Sequence, residues 1–374
     1  MEAAQAGAVE RKQITPSKEK KEHALATRSG SKRRQEAARR KPGNSLMEPA
    51  ETLRDYHRLM VRIRVFEGLS MRAFRSGLAG GYLHVYNGME GTAVGWLSCV
   101  REGDPIIAAY RDHGYALILG MDPVDVMAEI MGRARGVSRG KGGSMHLYSA
   151  EHSFYGGWAI VGGHTAMGVG LAFATKYRGG DEVTHLFFGD GAANAGVLYE
   201  SMNMASLWDL PVVFILENNE IAMGTRLEYH AADTHMHNRA EGFNIEHERI
   251  DGMNVLHVRK DALRIIDHVR KTQRPYFVEI MSFRFEGHGA ADHDRSLYRS
   301  KEEEKEAGKR DPILLLEQYM LETGVMIEGD IKVVWKDVEQ EMERAYKEAA
   351  DMPKPEPHEV YENVYTDILP EEGH

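Results

Sequence analysis

The residues best suited to chemistry lie between positions 183 and 224. Asp190 stands between Gly189 and Gly191, directly after an apolar run, and Asn219 follows a second apolar run. Mg²⁺ accepts carboxylate and amide oxygens and usually completes its octahedron with phosphate oxygens and water. Glycines let a phosphate approach the backbone closely, and the N–H groups at the start of a following helix can bind it. The combination predicts a metal-diphosphate site.

Two strands and one helix must position these side chains. Residues 183–188 and 212–216 have the apolar character of buried strands, and the residues between them show helical spacing on one face. A strand–helix–strand unit crosses over right-handedly and makes its strands parallel, so Asp190 and Asn219 follow ends at the same sheet edge. A lone Gly-Asp-Gly is also an ordinary turn, and Asn pairs are common in loops. The separation favours the site, because residues 192–217 hold one helix and one strand.

Composition limits the classes of protein. The chain has 374 residues and is 42% hydrophobic, which suits one or two α/β domains. Its net charge of −10 argues against nucleic-acid binding. A single cysteine, Cys99, excludes an internal disulfide and fits a reducing compartment. No apolar run has transmembrane length, and the first residues lack the apolar core of a signal peptide. We expect a soluble, cytoplasmic protein without a membrane or nucleic-acid partner.

Three regions are predicted along the chain. Residues 1–45 contain twelve Lys or Arg and five Glu with few apolar residues, which is typical of a disordered arm. This arm is interpreted as a solvated tail, with docking to an acidic partner and a transit peptide as alternatives. Residues 46–325 predict an α/β domain with an open, mostly parallel sheet and helices on both faces. Residues 326–374 predict a C-terminal helix and tail.

Other polar residues also follow predicted strands. Tyr110 and Arg111 come after a strand at 105–109, and Arg284 and His288 come after or near the end of a strand at 276–283. A guanidinium fork fits two phosphate oxygens, and open α/β sheets bind ligands beyond the carboxyl ends of their strands. Between these regions the pattern predicts a strand near 255–258 and a helix across 262–269.

Two further motifs favour structure over chemistry. Residues 140–143 are rich in glycine but lack the spacing of a P-loop, so a nucleotide loop is not expected. The histidines around positions 230, 235 and 237 match no standard metal cluster, and a mobile surface loop is predicted there.

The motifs together resemble the alpha subunit of the thiamine-diphosphate-dependent decarboxylating component of 2-oxoacid dehydrogenase complexes. This family includes pyruvate, branched-chain 2-oxoacid and acetoin dehydrogenases. The resemblance runs from about residue 52 to residue 325. It is carried by YRDHG at 110–114, GKGGSMH at 140–146, FYGG at 154–157, IVGG at 160–163, GDGAANAG at 189–196, ENN at 217–219, AMGT at 222–225, DGM at 251–253 and RFEGHG at 284–289.

The resemblance implies a thiamine diphosphate-binding fold and a role for each matching residue. Asp190, Asn219 and the main-chain oxygen of Ile221 would bind Mg²⁺. His288 and His84 would be catalytic and face the reactive carbon of the cofactor. The remaining implied cofactor contacts are Tyr110, Arg111, Ala159, Val161, Gly189, Gly191, Ala192 and Arg284.

The resemblance also implies the reaction and the partners. The enzyme would decarboxylate a small 2-oxoacid and pass the acyl group to a lipoyl-bearing acyltransferase component. The aminopyrimidine of the cofactor needs a carboxylate from a second α/β domain, and only helices follow the site here. A beta subunit would therefore supply this glutamate in an α₂β₂ assembly.

Substrate and activity stay open at this stage. Pyruvate is the first choice, acetoin follows because residues 239–244 resemble acetoin-type members, and a branched-chain 2-oxoacid is a further alternative. Trp158 next to Ala159 departs from the usual small or polar pair, and Gly289 stands where many members carry a serine that kinases modify. A noncatalytic assembly paralogue and a stand-alone carboligase are less favoured, the first because the residues of the site are intact.

Overall fold

The strands form one main sheet and one short ribbon. The computed structural model describes residues 48–362 and residue 364. Its strands are β1 Ile106–Ala109, β2 Phe154–Trp158, β3 Thr184–Gly189, β4 Val212–Asn218, β5 Ile221–Ala222, β6 Thr225–Arg226, β7 Glu246–Asp251 and β8 Tyr276–Met281. The main sheet is parallel throughout and has the order β2-β1-β3-β4-β8-β7, and β5 and β6 form an antiparallel ribbon.

Helices connect the strands and complete the chain. Two of them begin with an Asp N-cap followed by proline, at Asp122 and Asp311, where the carboxylate accepts from a backbone N–H. The α-helices are α1 Ala50–Arg75, α2 Glu90–Leu97, α3 His113–Ile118, α4 Pro123–Ile130, α5 His164–Arg178, α6 Gly196–Leu207, α7 Leu227–His230, α8 Val255–Thr272, α9 Lys301–Gly308, α10 Pro312–Glu322 and α11 Glu328–Asp351.

Both faces of the sheet are covered, as predicted. Along β4, Val213 and Ile215 join an apolar core that also contains residues of α1, α2, α8 and α11. Phe214 and Leu216 point to the opposite face and join a second core with α5 and α6. Successive strand residues alternate between faces, so an uninterrupted apolar strand requires cover on both. The α/β fold class is confirmed.

The carboxyl ends of the parallel strands share one edge. The chain runs from β1 outward to β2 and then returns to place β3 on the other side of β1, so the order reverses between β1 and β3. A crevice forms at such a reversal and is the usual ligand site of open α/β sheets. Of the predicted site residues, Tyr110 and Arg111 follow β1 and Asp190 follows β3, the two strands that border it.

One predicted strand is wrong, whereas the helix predicted across 262–269 is confirmed as part of a longer helix. Residues 255–258 do not form a strand, because α8 covers the whole of Val255–Thr272. The Asn254 side chain caps this helix by accepting from the N–H groups of Leu256 (3.0 Å) and His257 (3.3 Å). The strand of this region is β7, which lies at the sheet edge and buries only Ile250, so its charged sequence conceals it.

The predicted surface loop around the histidines is also partly wrong. Residues 227–230 form α7, and Met236–Phe243 form a 3₁₀-helix whose Met236 and Ala240 are buried in the second core. Strand β2 and helices α3 and α9 are present in the structure and are not predicted from the sequence pattern.

Other parts of the prediction lie outside what the structure tests. The basic arm at 1–45 is outside the described residues. Helix α11 joins the first core through Val338 and Met342, and the boundary at residue 325 stays a prediction. No helix among the described residues has the length and apolar character needed to cross a bilayer.

Candidate active site

The predicted site residues meet at the carboxyl edge of the sheet. Tyr110 and Arg111 follow β1, Ala159 follows β2, Asp190 follows β3, and Arg284 comes shortly after β8. These positions are dispersed over the sequence, and the parallel order of the strands brings them to one edge.

The register of β3 and β4 places the two proposed metal ligands at neighbouring strand ends. Gly189 pairs with Glu217, so Asp190 follows this pair by one residue and Asn219 by two. Asp190 is buried, and the Asn219 side-chain oxygen accepts from the N–H of Ile221 (3.3 Å). Within the described residues no group of three or more His, Cys, Asp or Glu is arranged to hold a metal ion. The Mg²⁺ site therefore depends on one carboxylate, one amide and one carbonyl, and it stays a prediction.

His230 contacts Asp190 and was missed in the sequence analysis. Its Nε2 lies 3.2 Å from Oδ2 of Asp190, and its Nδ1 lies 2.9 Å from Nδ2 of Asn194. Because a carboxylate only accepts, Nε2 carries the hydrogen and Nδ1 accepts from the amide. The four-residue helix α7 that carries His230 gives no periodic signal that could have identified it.

Two buried arginines at this edge have no carboxylate partner among the described residues. Arg111 donates to the main-chain oxygens of Val85 (2.6 Å) and His288 (2.9 Å). Arg284 is only 2% exposed and donates to three main-chain oxygens. These are the oxygens of Glu286 (3.2 Å), Ile221 (3.4 Å) and Met223 (3.1 Å).

The charges of the two guanidinium groups act on each other. Burial lowers the pKa of Arg284, and the positive charge of Arg111 lowers it further. A buried charge without an ionic partner is costly, whereas a guanidinium fork binds phosphate oxygens with two charge-assisted hydrogen bonds. The pair therefore fits an anionic ligand with more than one negative charge.

Two histidines and a tyrosine form a cluster beside these arginines. The His84 ring centroid lies 4.4 Å from that of Tyr110 and 4.9 Å from that of His288. Burial, together with the positive charge of Arg111, lowers the pKa of His84 to about 2 and that of His288 to about 3. The Nδ1 atoms of both rings are buried without a hydrogen-bond partner in the described part of the chain. Both imidazoles are therefore neutral at pH 7 and able to accept a proton or hydrogen bond from a ligand.

The remaining predicted contacts differ in exposure. Gly191 and Ala192 begin the 3₁₀-helix Ala192–Asn194, whose Ala192 is buried. Ala159 is half-buried, whereas Val161 is 54% exposed and follows the still more exposed Ile160. An apolar pair open to solvent beside a ligand site is suited to cover by another chain.

The glycine-rich segment 136–143 encloses a carboxylate of its own chain. Glu129 accepts from the backbone N–H groups of Ser138 (2.8 Å), Gly140 (2.8 Å), Gly142 (2.7 Å) and Gly143 (2.9 Å). A Cβ on Gly136 would lie 2.3 Å from Oε2 of Glu129, so the close approach requires glycine. Its amides are already used, which agrees with the expectation that this loop binds no nucleotide.

Comparison with known proteins identifies the family. The family described as dehydrogenase E1 component matches residues 57–358. The chain belongs to this family. It is similar to the pyruvate dehydrogenase E1 component subunit alpha of Rhizobium meliloti, with 41% identity over 314 residues that cover 84% of this chain and 88% of the relative. The proteins of the same name from Zymomonas mobilis (42% over 321 residues, 85% and 89% covered) and Rickettsia felis (38% over 306 residues, 82% and 93% covered) are also similar.

The residues of this E1 chain fit thiamine diphosphate. The cofactor carries a dianionic or trianionic diphosphate, which matches Arg111 and Arg284, and the unpartnered nitrogens of His84 and His288 lie next to them. Asp190 adds a buried carboxylate suited to a metal ion that bridges to phosphate. The fit therefore depends on the charges and on the free ring nitrogens.

Proposed function

We propose that this E1 chain is the alpha subunit of a thiamine-diphosphate-dependent pyruvate dehydrogenase that decarboxylates pyruvate and passes the acetyl group to a lipoyl carrier. The observation that carries the proposal is the pair of buried arginines at the carboxyl edge of the sheet, which have no carboxylate partner among the described residues. Burial of two like charges is costly, and an anionic ligand bound by both guanidinium groups would offset that cost.

Each residue has a part in the proposed site. Arg111 and Arg284 hold the diphosphate, while Asp190 and Asn219 bind Mg²⁺ with the main-chain oxygen of Ile221. The bound cofactor supplies the electron sink for decarboxylation. His84 and His288 are neutral and half-enclosed, so they accept or return a proton near the reacting carbon and hydrogen-bond the substrate carboxylate.

The names of the relatives support pyruvate as the substrate. Relatives between 38% and 42% identical are named as subunits of pyruvate dehydrogenase. The acetoin and branched-chain alternatives gain no support from these comparisons.

A partner chain completes the proposed site. The relatives are named as alpha subunits, and the exposed Ile160 and Val161 leave the implied aminopyrimidine region uncovered by the described residues. We expect a beta subunit to bury this surface and supply the activating glutamate in an α₂β₂ assembly. A lipoyl-bearing acyltransferase component then receives the acyl group.

The test is reduction of an artificial electron acceptor by this chain co-purified with its beta subunit, with thiamine diphosphate and Mg²⁺ added. Pyruvate, acetoin and branched 2-oxoacids are compared. Pyruvate turnover that disappears without the beta subunit supports the proposal. Preference for another substrate would correct the substrate, and absence of cofactor binding would favour a noncatalytic paralogue.

A further inference from the structure

A buried chain of three polar side chains lies behind the histidine cluster. Oε2 of Glu67 is 2.7 Å from Nδ1 of His113, and Nε2 of His113 is 2.9 Å from Oγ of Ser144. Glu67 and His113 are fully buried and Ser144 is nearly so. These residues come from α1, the start of α3 and the glycine-rich loop, and none of them has a part in the function proposed above.

The order carboxylate, imidazole, hydroxyl is that of a serine hydrolase, but the protons are arranged differently. Burial alone would lower the pKa of His113, whereas Glu67 and the neighbouring Asp112 raise it. Nδ1 faces the Glu67 carboxylate, and Nε2 lies 3.2 Å from the main-chain oxygen of Ser144. Because both oxygens can only accept, both ring nitrogens carry a hydrogen. A nitrogen that donates cannot take the proton of Ser144 Oγ. The buried hydroxyl is held in place and is not a nucleophile.

The chain holds the segment that carries His84. Ser144 Oγ accepts from the main-chain N–H of His84 (3.4 Å), and the second oxygen of Glu67 accepts from the N–H of Tyr86 (2.8 Å). Of the two carbonyls between these amides, that of Val85 accepts from Arg111. The buried pair of Glu67 and His113, together with Ser144, therefore anchors the backbone on both sides of Val85, whose carbonyl binds Arg111.

The far end of the chain is also anchored. Ser144 follows the amides that surround the Glu129 carboxylate, which fixes the loop on which the hydroxyl stands. The main chain of His84 is thus held by Ser144 Oγ, and the segment that carries Ser144 is fixed by the bonds of Glu129 to the preceding amides. A ring carried on a backbone held in this way keeps its position relative to His288, which supplies the preorganisation that a catalytic group requires.

We propose that Glu67, His113 and Ser144 are positioning residues that fix the orientation of the His84 imidazole in the active site. The expected effect on turnover rests on the proposed function. The expected effect on the orientation of the His84 ring does not depend on that function. The predicted signature is loss of turnover with cofactor affinity retained, because Ser144 Oγ bonds the main-chain N–H of His84. The Val85 carbonyl that accepts from Arg111 stays anchored by the bond between Tyr86 N–H and Glu67.

The test compares Ser144→Ala with the matched control Ser70→Ala. Ser70 is also a buried serine, but its hydroxyl donates to the Phe66 carbonyl within α1. In the assembly with the beta subunit, we expect Ser144→Ala to lower pyruvate turnover by about tenfold or more, less than the roughly 10²- to 10⁴-fold effect of losing an acid–base group outright. Thiamine diphosphate affinity should change less than about twofold, and Ser70→Ala should change neither quantity.

A second readout does not need activity. In the full chain labelled with ¹⁵N-histidine, the His84 ring signals are assigned by their loss in His84→Gln. They should shift or broaden in Ser144→Ala and stay unchanged in Ser70→Ala. If Ser144→Ala does not fold, Glu67→Gln replaces it, since the neutral amide removes the partner that keeps His113 doubly protonated.

The outcomes separate this inference from the proposed function. A wild-type assembly that neither binds thiamine diphosphate nor turns over pyruvate refutes the proposed function, and the His84 signals still test the positioning. An active wild type together with unchanged turnover and unchanged His84 signals in Ser144→Ala would overturn the positioning role. Parallel loss in Ser70→Ala would also overturn it, because the effect would then reflect general packing.

Discussion

Replacement of Arg284 by Gln should separate ligand affinity from stability. The guanidinium is buried and donates to three main-chain carbonyls, so its removal destabilises the chain by the loss of three hydrogen bonds. The same change stabilises the chain because it removes a buried charge that has no carboxylate partner among the described residues. These effects oppose each other, and we expect the free energy of unfolding of the cofactor-free chain to change by no more than about 1 kcal/mol.

The loss of cofactor affinity should be much larger. A forked contact of Arg284 with the diphosphate makes two charge-assisted hydrogen bonds, each contributing about 1.5–3 kcal/mol. Their sum, about 3–6 kcal/mol, corresponds to a rise in Kd of about 10² to 10⁴. Titration of the assembly with thiamine diphosphate and Mg²⁺, followed by calorimetry, measures this change, and denaturant unfolding measures stability.

Arg270→Gln is the matched control. Arg270 binds the buried carboxylate of Asp104 through two contacts (3.0 and 2.6 Å) just before β1, at the opposite edge of the sheet. Its loss leaves Asp104 without its guanidinium partner and should destabilise the chain by about 3 kcal/mol without a change in cofactor Kd. The reasoning is refuted if Arg284→Gln binds thiamine diphosphate as tightly as the wild type, or if Arg270→Gln weakens binding equally.

Three further changes test the other parts of the site. Asp190→Ala should abolish Mg²⁺-dependent cofactor binding with the circular-dichroism spectrum unchanged, since it removes the carboxylate of the proposed metal set; wild-type affinity would exclude Asp190 as a ligand. His288→Ala should retain cofactor binding and slow pyruvate turnover by about a hundredfold or more, and unchanged turnover would remove it from the mechanism. The folded chain holds His84 and His288 with pKa values of about 2 and 3, so it binds fewer protons than the unfolded chain between pH 3 and about 6.5. The free energy of unfolding should therefore fall as the pH drops through this window, by up to about 1.4 kcal/mol per pH unit for each histidine. Denaturant unfolding at several pH values measures this slope, and the double variant His84→Asn/His288→Asn should flatten it. An unchanged slope in the double variant would contradict the assigned pKa shifts.

Local patterns in the sequence were sufficient for the central strands and the residues that follow them. Strands β3 and β4 are continuous apolar runs because they are covered on both faces, and the turns after them place Asp190 and Asn219. Edge strands lack a continuous apolar run, and β7 buries only Ile250, so the sequence does not predict it. The sequence instead predicts a strand at 255–258, where helix α8 begins. A valine-rich start also favoured the strand, and the capping bond of Asn254 decides for the helix.

Only the tertiary structure decided how the polar groups pair. Arg111 and Arg284 are far apart in sequence, so their sequence neighbours do not indicate that the two side chains lie close together. The sequence neighbours also do not indicate that neither arginine has a carboxylate partner among the described residues. The same holds for Glu129 inside the glycine-rich loop, where an internal anion takes the amides that a ligand could have used. Apolar periodicity is visible within a single helix or strand and can therefore be recognised in the sequence. The partner of a buried charge depends on which elements the fold brings together, so only the tertiary structure identifies it.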